Sequence, residues 1–151
     1  DAPIHPDSAL VLRELGGEPD GFRARQLRPE HATAADLVLT MTRDHRRQVL
    51  EAAPRTLNRT FTLREAADLL SVLEGRDLTG KDFGTRARQL VADMAEARFR
   101  RRSRDDDDVV DPINQSPEVH RRAGELIAES LTPLLAGFVA LRVDRRHRDV
   151  A

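Results

Sequence analysis

The stretch Ala35-Asp36-Leu37-Val38-Leu39-Thr40-Met41-Thr42-Arg43-Asp44-His45-Arg46 decides the fold class of this chain. Its first half, Asp36 to Met41, is a short and nearly continuous apolar run, which is typical of a strand buried on both faces of a parallel sheet. Thr42 then has the character of a helix N-cap, and a helical pattern runs from Arg43 to Ala53. A buried strand that leads directly into a helix indicates an α/β fold with a parallel sheet.

Helix and strand signals flank this unit on both sides. His5-Pro6-Asp7-Ser8 predicts a helix start and Gly16-Gly17 predicts its end, while Pro29 opens a short helical turn. Downstream, Asn58 to Phe61 is a second, weaker strand candidate, and Thr62-Leu63-Arg64-Glu65 has the pattern of a capping box. Two parallel strands do not build a stable sheet core. We therefore expect either a mostly helical protein or further strands that are missing from this chain.

Two longer helices are predicted in the second half of the chain. One runs from Phe83 to Arg100, and Ser116-Pro117-Glu118 opens the other. The highly charged stretch between them, from Arg98 to Asp108, is predicted to be exposed. The last helix carries an apolar stripe that we interpret as core rather than as a partner groove: Ala123, Leu126, Ile127, Leu131, Leu134, Leu135 and Phe138.

The composition limits the possible classes of function. The chain has 151 residues, a formal net charge of -1, 39% hydrophobic residues and 34% charged residues, which describes one soluble domain. It contains no cysteine, which excludes disulfides and thiolate metal sites, and its balanced charge argues against a nucleic-acid partner. We find no apolar run long enough for a membrane span. The acidic run Asp105 to Asp108 shows no metal-ligand spacing, so no metal site is assigned.

Four segments, in their order and spacing, resemble the low-molecular-weight protein-tyrosine phosphatase family, in the version common in high-GC bacteria. They are His5-Pro6-Asp7-Ser8-Ala9, Phe22-Arg23-Ala24-Arg25-Gln26-Leu27, the Ala35–Arg46 stretch, and Val110-Asp111-Pro112-Ile113 followed by Gln115-Ser116-Pro117-Glu118-Val119. The resemblance covers most of residues 3 to 138 and implies a single domain, 1–151. Residues from about 75 to 104 match poorly and are interpreted as a charged insertion, and residues 142–151 as a frayed tail.

The resemblance implies an α/β, three-layer fold with a short parallel sheet flanked by helices. Members of this family begin with a strand that runs into a loop of the form Cys-x5-Arg-Ser/Thr, and this sequence has no such loop. We therefore expect the N-terminal strands, the cysteine loop and the first helix to precede Asp1. The absent strand would lie beside the strand at Leu37 to Met41. For that reason the chain by itself is predicted to be poorly soluble or partly molten.

The resemblance also implies a reaction, the hydrolysis of phosphotyrosine through a phosphocysteine intermediate in the cytoplasm, with no cofactor. The implied partner is a tyrosine-phosphorylated protein substrate. Asp111 matches the general acid and base of the family, and Pro112 biases Asp111 toward an extended conformation. From the spacing alone, Asp-Pro would only mark a turn before the helix at Pro117. The nucleophilic cysteine and the phosphate-binding arginine are expected upstream of Asp1, so the chain alone should be inactive on phenyl phosphates.

Four other residues are candidates for substrate binding. Ile113 and Asn114 stand where the family often has an aromatic pair, which indicates a flatter or less selective pocket than one lined by aromatic rings. Ile4 and His5 match a variable lip beside the pocket, although His5 is also simply explained as a surface residue before a helix. Thr42 stands where many relatives have an aspartate.

Two other functions stay open at this point. A non-catalytic relative that serves as an interaction or regulatory module is suggested by the absent cysteine loop and by Ile113, Asn114 and Thr42. Arsenate reduction, which a related scaffold performs, requires additional cysteines that this sequence lacks.

Overall fold

A short parallel sheet lies among six helices in the computed structural model, which describes residues 2–73, 78–102 and 104–142. The strands β1 (Val38–Thr40) and β2 (Thr60–Thr62) pair in parallel, with Leu39 opposite Phe61. The helices are α1 (Pro6–Glu14), α2 (Pro29–Ala34), α3 (Arg43–Ala52), α4 (Leu63–Ser71), α5 (Phe83–Arg98) and α6 (Pro117–Ala140). The predicted α/β class, with a short parallel sheet flanked by helices, is confirmed.

Both strands are shorter than predicted or shifted from their predicted positions. β1 covers only Val38–Thr40 of the predicted run from Asp36 to Met41, and β2 begins at Thr60 rather than at Asn58. The shift has a local cause, because a 3₁₀ helix at Pro54–Arg59 takes up the residues before Thr60. The Thr60 hydroxyl closes this turn by donating a hydrogen bond of 2.9 Å to the Thr56 carbonyl oxygen.

Helix starts follow the capping chemistry that the sequence predicted. The Thr42 hydroxyl accepts a hydrogen bond from the His45 N–H at 3.0 Å and so caps α3. At the start of α4, Thr62 and Glu65 form the predicted capping box. The Thr62 hydroxyl accepts from Glu65 N–H at 3.1 Å, and the Glu65 carboxylate accepts from Thr62 N–H at 3.3 Å. These bonds satisfy amide groups that the first turn of a helix leaves without partners.

The main hydrophobic core lies between β2, α4, α5 and α6. Its largest fully buried apolar side chains are those of Phe61, Leu69, Met94 and Leu134. α5 contributes four buried residues, so one helix of the segment interpreted as an insertion packs into this core. That segment's origin as an insertion stays a prediction. α5 ends at Arg98, two residues earlier than predicted, and residues 143–151 of the predicted frayed tail lie outside the described residues.

α6 combines a buried face with a strongly exposed one. Leu134 is 2% exposed, whereas its neighbour Leu135 is 55% exposed and so does not belong to the core as predicted. By length and composition alone α6 could cross a membrane, contrary to the expectation from the sequence, but core helices of soluble proteins pass the same test. α6 packs against α1 and α4, and 17% of its most apolar window is buried.

The charged stretch from Arg98 to Asp108 was predicted to be exposed, and that prediction is wrong for three of its members. The side chains of Arg98 and Arg101 are 18% and 11% exposed, and Asp107 is buried. Arg98 donates a hydrogen bond of 2.8 Å to Glu65, and its guanidinium lies 4.0 Å from the centre of the Phe61 ring. Opposite charges meet here across the fold, so each can be buried with a partner.

Candidate active site

The loop that carries Asp111 is attached to the end of β1. The Val109 N–H donates a hydrogen bond of 2.8 Å to the carbonyl oxygen of Met41, the residue that follows β1. Val109 is buried, and Asp111, two residues later, is exposed. This bond places Asp111 at the carboxyl end of the parallel strands, where open α/β sheets bind their ligands.

A second attachment fixes the same loop to the start of α3. The Asp108 carboxylate accepts hydrogen bonds from the Arg43 backbone N–H at 2.7 Å and from Nε and Nη2 of the Arg43 guanidinium, at 3.2 and 3.1 Å. Arg43 also donates to Asp105 at 3.1 Å. The hydrogen bonds to Asp108 and then those to Asp105 raise the pKa of Arg43 above its ordinary value. A planar guanidinium held by a carboxylate in this way restricts the orientation of the loop.

The buried carboxylate of Asp107 ties the start of the loop to the preceding residues Arg101 and Arg104. Arg101 donates to both oxygens of Asp107, and the Arg104 backbone N–H donates to Oδ2 at 2.9 Å. Burial acts to raise the pKa of Asp107, but these hydrogen bonds outweigh it and the pKa lies below its ordinary value. The hydrogen bonds from Arg101 to Asp107 and then to Asp68 raise the pKa of Arg101 against the opposing effect of burial. Asp107 and Asp108 therefore fix the segment that immediately precedes Val109 and Asp111.

Asp111 itself organises the turn that follows it. One of its carboxylate oxygens, Oδ1, accepts a hydrogen bond from Ile113 N–H at 3.0 Å, and the Pro112 carbonyl accepts one from Gln115 N–H at 2.9 Å. Asn114 has a φ of 61°, in the left-handed region that asparagine tolerates better than most residues. The Asp111 carboxylate is thus aimed by its own turn while it stays open to solvent.

An apolar groove of about 570 Å³ opens beside Asp111, between the acid loop, α1 and α6. Ile4, Met41, Asp111 and Pro112 lie on its border near the loop. Its wall is formed largely by aliphatic side chains of the two helices: Val11, Leu12, Leu15, Ile127, Leu131 and Leu135. Such a wall is suited to covering by another apolar surface rather than by water.

The structure brings only part of the predicted site together. Asp111 and Ile4 border the same groove, whereas the exposed Ile113 and Asn114 are not among its lining residues. The His5 ring stacks on the ring of His120, with 4.7 Å between the ring centres.

Two positioning residues, Arg43 and Asp108, were missed by the sequence analysis. They lie 65 positions apart within charged runs, so no local spacing connects them. The sequence does place a basic residue at the first position of α3 and an acidic residue just before Val109, but nothing in it indicates that the two side chains meet.

A wider and more polar cleft, of about 940 Å³, lies between α4 and a second wall formed by residues 96–97, 100–102 and Arg104. Three of its charged groups bind one another, since Asp68 accepts hydrogen bonds from Arg101 at 2.8 Å and from Arg104 at 3.2 Å. Neither Asp111 nor the carboxyl end of β1 borders it. Size alone therefore does not make this cleft the candidate active site.

Comparison with known proteins gives a family match and a relative. Residues 1–74 match the family described as low molecular weight phosphotyrosine protein phosphatase. A protein-arginine-phosphatase of Geobacillus stearothermophilus is 37% identical over 65 residues, which cover 43% of this chain and 42% of that protein. The matched region thus spans less than half of the relative. No solved structure gives a significant match.

Proposed function

Because residues 1–74 make this chain a member of the low molecular weight phosphotyrosine protein phosphatase family, we propose that it is the acid-bearing part of a protein phosphatase. The proposed substrate class is a phosphorylated protein. The observation that carries the proposal is the hydrogen bond from Val109 N–H to the Met41 carbonyl. It holds Asp111 at the carboxyl end of the sheet, where a substrate of an α/β enzyme would bind.

In the proposed reaction a cysteine thiolate attacks phosphorus, and the bond between phosphorus and the leaving group breaks. Protonated Asp111 donates its proton to the leaving atom, so that the product departs neutral and a phosphocysteine remains. The Asp111 carboxylate then takes a proton from a water molecule that attacks phosphorus. This second step releases phosphate and regenerates the thiolate. Since the 151 residues contain no cysteine and no Cys-x5-Arg loop, we propose that the thiol and the phosphate-binding arginine of that loop belong to other residues of the full-length protein.

The apolar groove supports a site in which this chain supplies the acid and other residues supply the thiol. It runs from Asp111 and Met41 along α1 and α6, so a segment seated in it would reach the end of β1. β1 pairs with β2 on one side, and its other edge has no strand partner among the described residues. We propose that the cysteine-bearing segment of the full-length protein pairs with this edge and fills the groove. That arrangement would cover both an open strand edge and an apolar wall.

Phosphotyrosine is the substrate that we propose first, in a cytoplasmic setting that keeps the thiol reduced. Phosphoarginine is a second candidate, favoured by the name of the relative and by the acid loop itself. Ile113, which is 55% exposed, and the neighbouring Asn114 have no aromatic ring, so neither can stack on the phenyl group of phosphotyrosine. The proton from Asp111 would serve either a phenolate oxygen or a guanidine nitrogen as the leaving atom.

The test compares Asp111→Asn with the unmodified full-length protein, on a phosphotyrosine peptide and on a phosphoarginine peptide. Loss of a general acid should lower kcat about 10²- to 10⁴-fold on the true substrate. The melting temperature should hardly change, because the Asp111 side chain is exposed. Asp20→Asn is the matched control, since Asp20 is an exposed aspartate whose side chain makes a surface pair with Arg13.

Three results would contradict parts of this proposal. An Asp111→Asn variant with unchanged kcat on both peptides would remove Asp111 from the mechanism. A full-length protein without a Cys-x5-Arg loop that binds a phosphopeptide without turnover would favour the non-catalytic module instead. Turnover of a phenyl phosphate by the cysteine-free 151-residue chain would exclude the thiol as the required nucleophile.

A further inference from the structure

Two helix starts that are far apart in sequence bring two histidines and an aspartate together. His5 and Asp7 lie at the beginning of α1, and His120 lies in the first turn of α6. The Asp7 Oδ2 atom is 3.8 Å from Nδ1 of His5 and 3.8 Å from Nε2 of His120. One possible ligand atom from each of the three residues lies within 4.8 Å of the other two. None of these residues takes part in the proposed phosphoryl transfer.

His120 is the unusual member of this cluster. Its side chain is 0% exposed, and its Nε2 atom has no hydrogen-bond partner among the described residues. A buried polar atom without a partner loses its hydrogen bond to water and gains none in return, so such atoms are rare in native structures. The Nε2 atom points into the cluster, toward the Asp7 carboxylate. A cation held there would supply the missing partner.

The other nitrogen of His120 is held as expected for a metal ligand. Its Nδ1 atom is 2.9 Å from the hydroxyl oxygen of Ser8. When Nδ1 carries the proton and donates to Ser8, Nε2 presents a lone pair toward Asp7. Histidines that bind metals usually donate their second N–H to a neighbouring acceptor in this way, which fixes both the tautomer and the ring orientation.

The donor set selects the class of ion. Two imidazole nitrogens and one carboxylate oxygen are ligands of catalytic-type zinc sites, which keep a fourth position open to water. Imidazole favours first-row transition metals, whereas Mg²⁺ prefers oxygen ligands and its own waters. Ligand atoms about 2.0–2.1 Å from a tetrahedral ion lie about 3.4 Å apart. The 3.8 Å separations would therefore contract by a few tenths of an ångström.

His5 is the ligand that would move. Its ring is stacked on the His120 ring with an angle of 18° between the planes, and stacked rings do not direct their lone pairs to one point. The His5 side chain is 38% exposed, so it has room to turn. The bond that it would give up is long, since Asp7 N–H donates to His5 Nδ1 at 3.3 Å.

We propose that His5, Asp7 and His120 bind a divalent first-row transition-metal ion of the Zn²⁺ type, with Ser8 supporting His120. The ion joins the start of α1 to the start of α6, directly beside the groove residue Ile4. This proposal departs from the sequence-based expectation of no metal site, which stays a prediction until binding is measured. The inference goes beyond the proposed function, since the cysteine-dependent reaction does not use this ion. Its role is to stiffen the contact between the two helices next to the candidate active site.

The test measures binding of Zn²⁺ to the full-length protein by calorimetry, after alkylation of any thiols. We expect one saturable ion per chain, and a higher melting temperature with ZnCl₂ but not with MgCl₂. Asp7→Asn and His5→Ala should each weaken binding at least about tenfold, and Ser8→Ala should weaken it by about 10- to 100-fold as a supporting residue. These three side chains are only partly buried, so their replacement should leave the fold intact.

His45→Ala is the control, because His45 is an exposed histidine of α3 that lies outside the cluster. It should bind Zn²⁺ as the unmodified protein does. Co²⁺ gives a second readout, since visible absorption of a four-coordinate complex should appear in the unmodified protein and disappear in Asp7→Asn. Absence of a 1:1 complex would overturn the proposal. So would a complex whose affinity is unchanged by both His5→Ala and Asp7→Asn.

Discussion

Asp107 shows at the scale of one residue how the acid loop is held. It is 3% exposed, and the hydrogen bonds from Arg101 and from the Arg104 backbone N–H compensate for the cost of burying its charge. Replacing either Asp107 or Arg101 by a neutral residue would leave the charge of the remaining partner buried and unpaired, which is costly. The stability of the loop behind Asp111 therefore depends on an aspartate that itself has no catalytic contact.

Asp107→Asn should lower the free energy of unfolding by about 2–3 kcal/mol, the scale of charge-assisted hydrogen bonds. Asp106→Asn is the neighbouring control, because Asp106 is exposed and its only recorded ion pair among the described residues is with Arg64 at 3.6 Å. Its replacement should cost less than about 1 kcal/mol. Chemical denaturation at neutral pH measures both values. Equal costs for the two variants would contradict the central role of the Asp107 contacts.

The pH dependence of stability follows from the same carboxylate. The pKa of Asp107 is lower in the folded chain than in an unfolded one. Its contribution is therefore complete above the unfolded value of about 3.9 and is lost as the pH falls through the folded value. Unfolding free energies measured from neutral pH down to about pH 3 should fall less steeply in Asp107→Asn. An unchanged slope in that variant would show that other carboxylates cause the acid sensitivity.

At the scale of elements, the contact between α1 and α6 depends on a glycine. A Cβ atom at Gly124 would lie 2.3 Å from Cγ1 of Val11 and 3.7 Å from Cδ1 of Leu15. The first distance is far below a normal contact, and the β-branched side chain of Val11 has few ways to move. Gly124 therefore lets α1 approach α6 closely. The same close contact between the two helices holds the walls of the groove and the residues of the histidine cluster together.

Gly124→Ala should destabilise the protein by about 1 kcal/mol, although alanine is the better helix former by a similar amount. Gly84→Ala in α5 is the matched control, because its nearest neighbour is the Asp82 carboxylate at 3.3 Å and no core side chain is displaced. That variant should be neutral or slightly more stable. In the double variant Val11→Ala/Gly124→Ala the two costs should not add. Additive costs, or a more stable Gly124→Ala, would contradict the clash.

Elements were predictable from the sequence where the chemistry is local. Thr42 and the Thr62–Glu65 capping box start their helices as predicted, because each cap joins residues three positions apart. α6 also begins at Pro117 as predicted, since the fixed φ of proline suits the first turn, although the Ser116 side chain makes no capping hydrogen bond. The buried positions of Arg101 and Asp107 were not predictable. A charged run is normally solvated, whereas here the segment folds so that Arg101 reaches Asp107, and its packing beside α4 adds Asp68 as a second partner of Arg101.

The candidate site divides in the same way. Asp111 was found through the resemblance of its loop to a known family, whereas Arg43 and Asp108 act through a contact across 65 positions of sequence. An ion pair of this kind carries no spacing signal, since its geometry exists only after the acid loop has packed against the start of α3. The sequence therefore indicated the acid but not the groups that place it.

For the whole molecule, surface area and groove lead to the same conclusion. The chain exposes 10667 Å², whereas a compact monomer of this length exposes about 7,700 Å². The exposed surface includes the apolar wall formed by α1 and α6. By itself, the 151-residue chain is expected to melt over a broad temperature range and to bind a hydrophobic dye. A sharp, cooperative melt without dye binding would contradict this expectation.

Of two adjacent leucines in α6, Leu134 lies in the core and Leu135 lines the groove. Leu134→Gln should unfold the isolated chain and the full-length protein alike, because it places an amide in the core at a cost of several kcal/mol. Leu135→Gln should cost the isolated chain less than about 0.5 kcal/mol and should reduce dye binding, since that side chain is more than half exposed. In the full-length protein the proposed segment covers Leu135, so the same change should cost about 2–4 kcal/mol. A Leu135→Gln variant that is equally harmless in both forms would show that the groove stays open and that the cysteine-bearing segment lies elsewhere.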